Sequence, residues 1–231
     1  MTKPAGLPII VLPYVKTYEL TTPAPAEKRK CSALTRENKL LTTIVAALLC
    51  AIGIVIPMFC PKIVIGPASF TLASHVPVFL AMFISPGVAA AVALGTTLGF
   101  FAAGFPLVVV LRALSHIVFA LIGSFWLKKQ PQVLASYGGA VGFGLLTGVV
   151  HAACEVLVVT FFFFGDQLSK ASYTSGYFVT VLLLVGVGGL VHSMADYGIS
   201  LAVWKPLGRT ARFPVSVKNV LALGGKTHSE A

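Results

Sequence analysis

Between residues 40 and 204 the chain alternates long apolar runs with short breaks that carry proline, glycine or charge. Several runs reach the roughly 20 residues an α-helix needs to cross a bilayer. Their lengths and breakers predict six helices, near 40–58, 70–85, 87–104, 106–127, 138–164 and 177–204. Ser85-Pro86 reads as a cap and a first-turn proline opening the third helix, and Pro106 opens the fourth in the same way. The expected fold class is therefore all-α: a polytopic membrane protein built as a compact bundle of six transmembrane helices.

Composition agrees, since 57% of residues are hydrophobic and 10% are charged. The formal charge of +10 would suggest nucleic acid in a soluble domain. Here it follows topology instead. Lys28, Arg29, Lys30, Arg36 and Lys39 precede the first span, Lys128 and Lys129 follow the fourth, and Lys205, Arg209, Arg212 and Lys218 follow the sixth. The alternate loops hold only Lys62 and Lys170. By the positive-inside rule both termini are cytosolic, with Trp126 and Trp204 as interfacial aromatics at cytosolic helix ends and Tyr173 and Tyr177 at the outer edge. Residues 1–39 are expected to form a cytosolic, disordered tail, and residues 205–231 a cytosolic basic tail. The first 39 residues hold no apolar run long enough for a signal peptide; "LPIIVLP" is too short and bounded by proline, so the first span should remain in the mature protein. Cys31, Cys50, Cys60 and Cys154 show no metal-binding spacing and read as small apolar fillers.

Small residues let membrane helices approach closely. The third helix carries Gly87, Ala91, Gly95, Gly99 and Ala103 at i, i+4 spacing and is expected to be packed and central. Ala47 and Ala51 form a smaller patch on the first helix, suited to another helix of this chain or to a separate subunit.

Candidate chemistry sits inside the spans. Arg112/His116, His151/Glu155 and His192/Asp196 are three i, i+4 pairs, each on one helix face. Such groups cost several kcal/mol in lipid unless paired or hydrated, so they should face the bundle interior. Counted from the outer helix ends at about 1.5 Å per residue, Arg112 lies roughly 9 Å deep, Glu155 roughly 13, His116 roughly 15 and His151 roughly 20. His192 falls at roughly 22 Å and Asp196 at roughly 28 Å on the same count, which sets Asp196 apart from the main band. Arg112 and Glu155 either form an interhelical ion pair or line a water-filled pocket in which Arg112 offers a forked donor to a ligand carboxylate. His75, on the outer part of the second helix, either contacts ligand or is merely hydrated. Phe161–Phe164 either stack on ligand or pack against lipid and lid. Nitrogen and oxygen donors on one face also suit a metal, but the Arg112 cation repels one, so no metal site and no cofactor are expected. No nucleophile motif or Walker sequence occurs, so the chain is not expected to be an enzyme and cannot hydrolyse ATP unaided.

This pattern resembles the substrate-binding S components of energy-coupling factor (ECF) vitamin transporters. The resemblance spans residues 40–204 and rests on the six helices, on Ala47-x-x-x-Ala51 and on the block "GPASFTLASHVPVFLAMFISPGVAAAVALGTTLGFF" followed by "FPLVVVLRALSHIVFALIG". These blocks look most like niacin-type members, with pantothenate and cobalamin types as alternatives. The resemblance implies a multi-pass protein of a prokaryotic plasma membrane. It implies capture of a small water-soluble vitamin from outside, in a cavity capped by the loops near 59–69, Gly104-Phe105 and 165–176. The implied partners are a transmembrane coupling protein, touched through Ala47 and Ala51, and two ATP-binding-cassette ATPases. The ligand contacts are read from the residues themselves: Arg112 as clamp for a carboxylate, His116 or His151 as hydrogen-bond partner to a ring nitrogen or hydroxyl, His75 as a further candidate contact, and Glu155 holding Arg112 or a histidine in place. The competing class is a stand-alone secondary transporter or a membrane assembly protein whose buried charges carry protons or hold helices.

Overall fold

The computed structural model describes residues 25–65, 68–218 and 220–221, with side chains from Ser32 onward. The expected disorder of residues 1–24, the "LPIIVLP" segment, Cys31 and the last ten residues of the basic tail lie outside what it describes. Residues 25–36 belong to a separate unit from Glu37–Ala231, and the packing and the site described below lie within the latter.

Among the described residues four helices are long and apolar enough to cross a bilayer: Ser32–Phe59 within α1 (Pro25–Phe59), α4 (Leu107–Lys129), α5 (Tyr137–Phe164) and Phe178–Thr210. The last comprises a π-helical stretch, Phe178–Val187, that runs into α7 (Gly188–Thr210). Between α1 and α4 lie a two-stranded hairpin, β1 (Lys62–Ile65) and β2 (Ala68–Thr71), and two shorter helices, α2 (Val76–Ile84) and α3 (Pro86–Ala102). A short α6 (Lys170–Thr174) lies between α5 and the π-helical stretch. This is an all-α polytopic membrane protein apart from the hairpin.

Four expectations shift. Helix α1 begins at Pro25 rather than near residue 40, because "PAEKRKCSALTRENK" is rich in Ala, Glu, Lys and Arg, strong helix formers that a search for apolar runs overlooks. Helix α2 begins at Val76 rather than near 70. The β-branched Ile63-Val64-Ile65 pairs antiparallel with Phe70, Ser69 and Ala68 in turn, and Pro77 marks the true first turn of the helix.

Helix α2, not α3, is central: all nine of its residues are buried, whereas Gly87, Ala91 and Ala103 on the small-residue ladder of α3 are exposed. The middle of that ladder seats α1. A Cβ on Gly95 would stand 2.7 Å from Sγ of Cys50, and one on Gly99 would meet Ile54 more closely still. The buried face of α3 is instead Val88, Ala89, Val92, Ala93, Thr96, Thr97 and Phe100.

Trp204 is not interfacial. It is buried against Phe83, and its Nε1 donates to the Val217 carbonyl at 2.9 Å. Residues 211–221 return across this end of the bundle and bury Val217 and Val220, so the described part of the expected tail is packed. Ser216 and Val217 donate backbone hydrogen bonds to the carbonyls of Ile84 and Phe83.

Candidate functional site

The hairpin, the α3–α4 turn and the segment between α5 and the π-helical stretch enclose a cavity of about 400 Å³. These are the three loops expected to cap a site. Lys62 stands at the mouth, its ammonium 5.9 Å from the centroid of the Phe105 ring. Phe105 stacks on Phe100 with centroids 4.8 Å apart, and both line the cavity. On the facing side Ser169 and Ser172 share a hydrogen bond of 3.0 Å, and Thr180 donates to the Ser172 carbonyl at 2.7 Å, which fixes the cap to the π-helical stretch.

The inner wall carries the charge. Arg112 on α4 and Glu155 on α5 form a bidentate pair: Nε donates to Oε1 at 3.1 Å and Nη2 to Oε2 at 3.0 Å. Both are buried and both reach the cavity wall. A charge pair this deep is retained only when its hydrogen bonds are satisfied, and the forked geometry satisfies them. The clamp that the sequence suggested for a ligand is thus closed on Glu155. His116 Nε2 lies 3.4 Å from Oε1 of the same carboxylate. His151 is fully buried behind the cavity and does not line it, which corrects its placement as a direct wall residue; its Nε2 is 3.5 Å from Glu155 Oε1. That separation is too poorly aligned for a hydrogen bond, and neither ring nitrogen of His151 has another among the described residues.

His75 occupies the N-cap of α2, lines the cavity and is buried, which is far from a merely hydrated position. It brings Asp196 into the site. The Asp196 carboxylate accepts the backbone N–H of Ala73 at 2.7 Å and of His75 at 2.8 Å, and meets His75 Nδ1 at 3.1 Å. Ser74 Oγ reaches both Asp196 (3.4 Å) and His192 Nε2 (3.1 Å). Asp196 therefore belongs to the same polar cluster as Arg112 and Glu155, contrary to the depth count. That count assumed a straight α-helix from residue 177, whereas a π turn packs more residues into each turn and advances less per residue. It also missed the descent of residues 72–75 to the middle of the bundle.

The sequence reading set Asp196 apart from the cluster, placed Phe105 and residues 165–176 in the capping loops without assigning them to the wall, and missed Ser74, Thr71 and Phe100. A signal existed for some: the β-branched run at 63–65 ahead of Gly66-Pro67 marks a hairpin, and Pro77 sets the start of α2. Phe161 and Phe164 are largely exposed and Phe163 packs on Tyr173 and Tyr177, so this run does not line the cavity. Ala47 and Ala51 are exposed on α1 beside Leu48 and Ile52, available to a partner or to lipid.

No family model matches the chain, and no solved structure matches it significantly. The curated proteins do supply a relative: over 192 residues, 83% of this chain and 84% of the relative, the sequence is 42% identical to the niacin transporter NiaX of Lactococcus lactis subsp. cremoris (strain MG1363). The chain belongs to this family. This bears out the resemblance to niacin-type S components of ECF transporters and the expectation of a transport subunit and not an enzyme.

Proposed function

We propose that the chain is the high-affinity binding subunit of an ECF-type importer and that its ligand is niacin. The observation that carries this is the 42% identity to a niacin transporter across most of both chains. The cavity supports it. A volume of about 400 Å³ suits a single-ring acid and is far too small for a corrinoid. Phe100 and Phe105 offer a flat apolar surface for an aromatic ring. Arg112, His116 and His75 supply polar groups to the same cavity, with Glu155 holding Arg112 and His116 and with His151 packed against the two histidines.

Lys62 lines the cavity and Lys170 belongs to the segment that caps it, whereas Lys39, Lys128, Lys129, Lys205 and Arg209 fall at the alternate helix ends. That asymmetry supports an outward-facing site with both termini cytosolic, in the plasma membrane of a bacterium. Delivery across the membrane then requires a transmembrane coupling protein and its two ATPases, and the exposed Ala47 and Ala51 offer a close-packing face for the former.

Calorimetric titration of the purified chain with nicotinate, nicotinamide and pantothenate tests this reading. Nicotinate is expected to bind most tightly without any ion gradient, and Phe105→Ala to weaken it about 10-fold, the worth of one aromatic stacking contact. Absence of nicotinate binding, or a preference for pantothenate, rejects it. Ala47→Trp should leave nicotinate affinity unchanged while abolishing uptake in cells and co-purification of the coupling protein.

A further inference from the structure

Three imidazoles from three different helices meet beside the cavity. The ring centroids of His75, His116 and His151 are 4.9, 4.7 and 4.8 Å apart, a nearly equilateral triangle. A ligand atom of each, together with one of Glu155, lies within 4.8 Å of the others. Three imidazoles bound tetrahedrally to one ion at a nitrogen distance of about 2.0–2.1 Å would have centroids about 5 Å apart. The rings thus stand at the spacing an ion requires, while their ligand atoms, within 4.8 Å of one another, would draw in to about 3.3–3.4 Å on binding it.

The carboxylates around it set the ring tautomers. Asp196 meets Nδ1 of His75, and Glu155 meets Nε2 of His116. A nitrogen that donates its proton to a carboxylate leaves the other nitrogen of the same ring bare, as in the carboxylate–histidine pairs that support metal ligands. His151 supplies the independent observation. It is fully buried, lies against the other two rings, and its nitrogens have no hydrogen-bond partner among the described residues. Burying an imidazole without hydrogen bonds is costly, and an ion removes that cost.

Charge favours the same answer. The bidentate bonds to Glu155 neutralise Arg112, so its cation is matched where it stands. Asp196 then leaves the cluster with a formal charge of −1 when all imidazoles are neutral. A divalent ion would turn this to +1, a balance that an anionic ligand restores.

We infer that His75, His116 and His151 form a three-histidine site for a divalent transition-metal ion of the zinc class, with its fourth position on the cavity side for a donor atom of the captured ligand. Imidazole donors suit zinc, copper and nickel and disfavour magnesium or calcium. His75 and His116 line the cavity and His151 backs it, so the open position faces the ligand. The ligand half of this inference rests on the niacin reading: a pyridine-carboxylate offers either its ring nitrogen or its carboxylate to the ion. The metal half does not.

The test uses the full chain purified without a histidine tag, stripped with a chelator and titrated with Co²⁺. The wild type should take up one equivalent with the intense visible absorption of a four-coordinate ion, and nicotinate should shift that spectrum. His116→Ala and His151→Ala should each lose it, Asp196→Asn should weaken Co²⁺ binding about 10- to 100-fold, and His192→Gln should keep it. No uptake by the wild type, or equal uptake by His116→Ala, overturns the site without appeal to any variant that fails to fold. Nicotinate is titrated separately into stripped and Co²⁺-loaded protein. Tighter binding to the loaded form supports the shared coordination. Equal affinity in both overturns the ligand half and leaves vitamin capture standing. Binding to neither rejects vitamin capture, while the Co²⁺ spectrum still decides the metal.

Discussion

Two buried carboxylates hold this site together by different means. Glu155 is held by a side chain, the Arg112 guanidinium, which bonds both of its oxygens across the α4–α5 interface. Asp196 is held chiefly by backbone: the N–H groups of Ala73 and His75 converge on it, and it ties α7 to the start of α2. Ala73 adopts φ of +68°, a left-handed conformation that a non-glycine residue adopts only when its surroundings compensate, and its bond to Asp196 does so. A carboxylate paired with a side chain can be replaced together with its partner. One paired with the backbone cannot, because its partners remain in every variant.

That difference orders the expected effects of substitution. Arg112→Ala should be the most damaging, because it leaves Glu155 charged and unpaired in the bundle; the expected loss of unfolding free energy in detergent is about 3–5 kcal/mol. A loss under about 1 kcal/mol would mean that the pair is hydrated and not structural. Asp196→Ala should follow at about 3 kcal/mol, from two charge-assisted backbone bonds, with Asp196→Asn recovering roughly half. Hydrogen exchange separates the two cases: the Ala73 and His75 amides should exchange faster in Asp196→Ala and stay slow in Arg112→Ala.

The double variant Arg112→Met with Glu155→Leu sharpens the contrast. Replacing both members of a buried pair by apolar residues should return stability to within about 1 kcal/mol of wild type while still impairing ligand capture. If the double variant is as unstable as Arg112→Ala alone, the pair does more than balance its own charge. The smallest effect is expected from His192→Phe, which forfeits the 3.1 Å contact with Ser74 and should cost about 1 kcal/mol.

The same difference explains what the sequence made legible. The Arg112/His116 and His151/Glu155 pairs could be read from spacing alone, since i, i+4 places both members on one face and the cost of charge in lipid turns that face inward. Depth then aligned the two pairs. The same spacing marks Asp196 beside His192 but not its main partners, which are amides that every residue carries and no composition reveals. Its depth was also misjudged through the π-helical stretch, whose apolar sequence "FVTVLLLVGV" gives no sign of the wider turn. The central position of α2 was hidden for a related reason: nine apolar residues adjoining a hairpin read as part of a longer span until Pro77 is taken as a first-turn residue. The middle of the small-residue ladder of α3 meets side chains of α1, at Cys50 and Ile54, but the helix that α3 packs against most extensively is α4, which the ladder does not reveal.

The shortness of α2 bears on how the membrane is sealed. Nine residues at 1.5 Å each give a plug about 13–14 Å long, wholly buried, with the polar cluster and cavity at its start and the packed C-terminal segment at its end. With solvent in the cavity, the low-dielectric layer at the middle of the protein shrinks from the full hydrocarbon thickness of about 30 Å to the length of this plug. An electrical potential across the membrane would fall mainly over Val76–Ile84, and the aromatic packing of Phe79 and Phe83 would serve as its insulation.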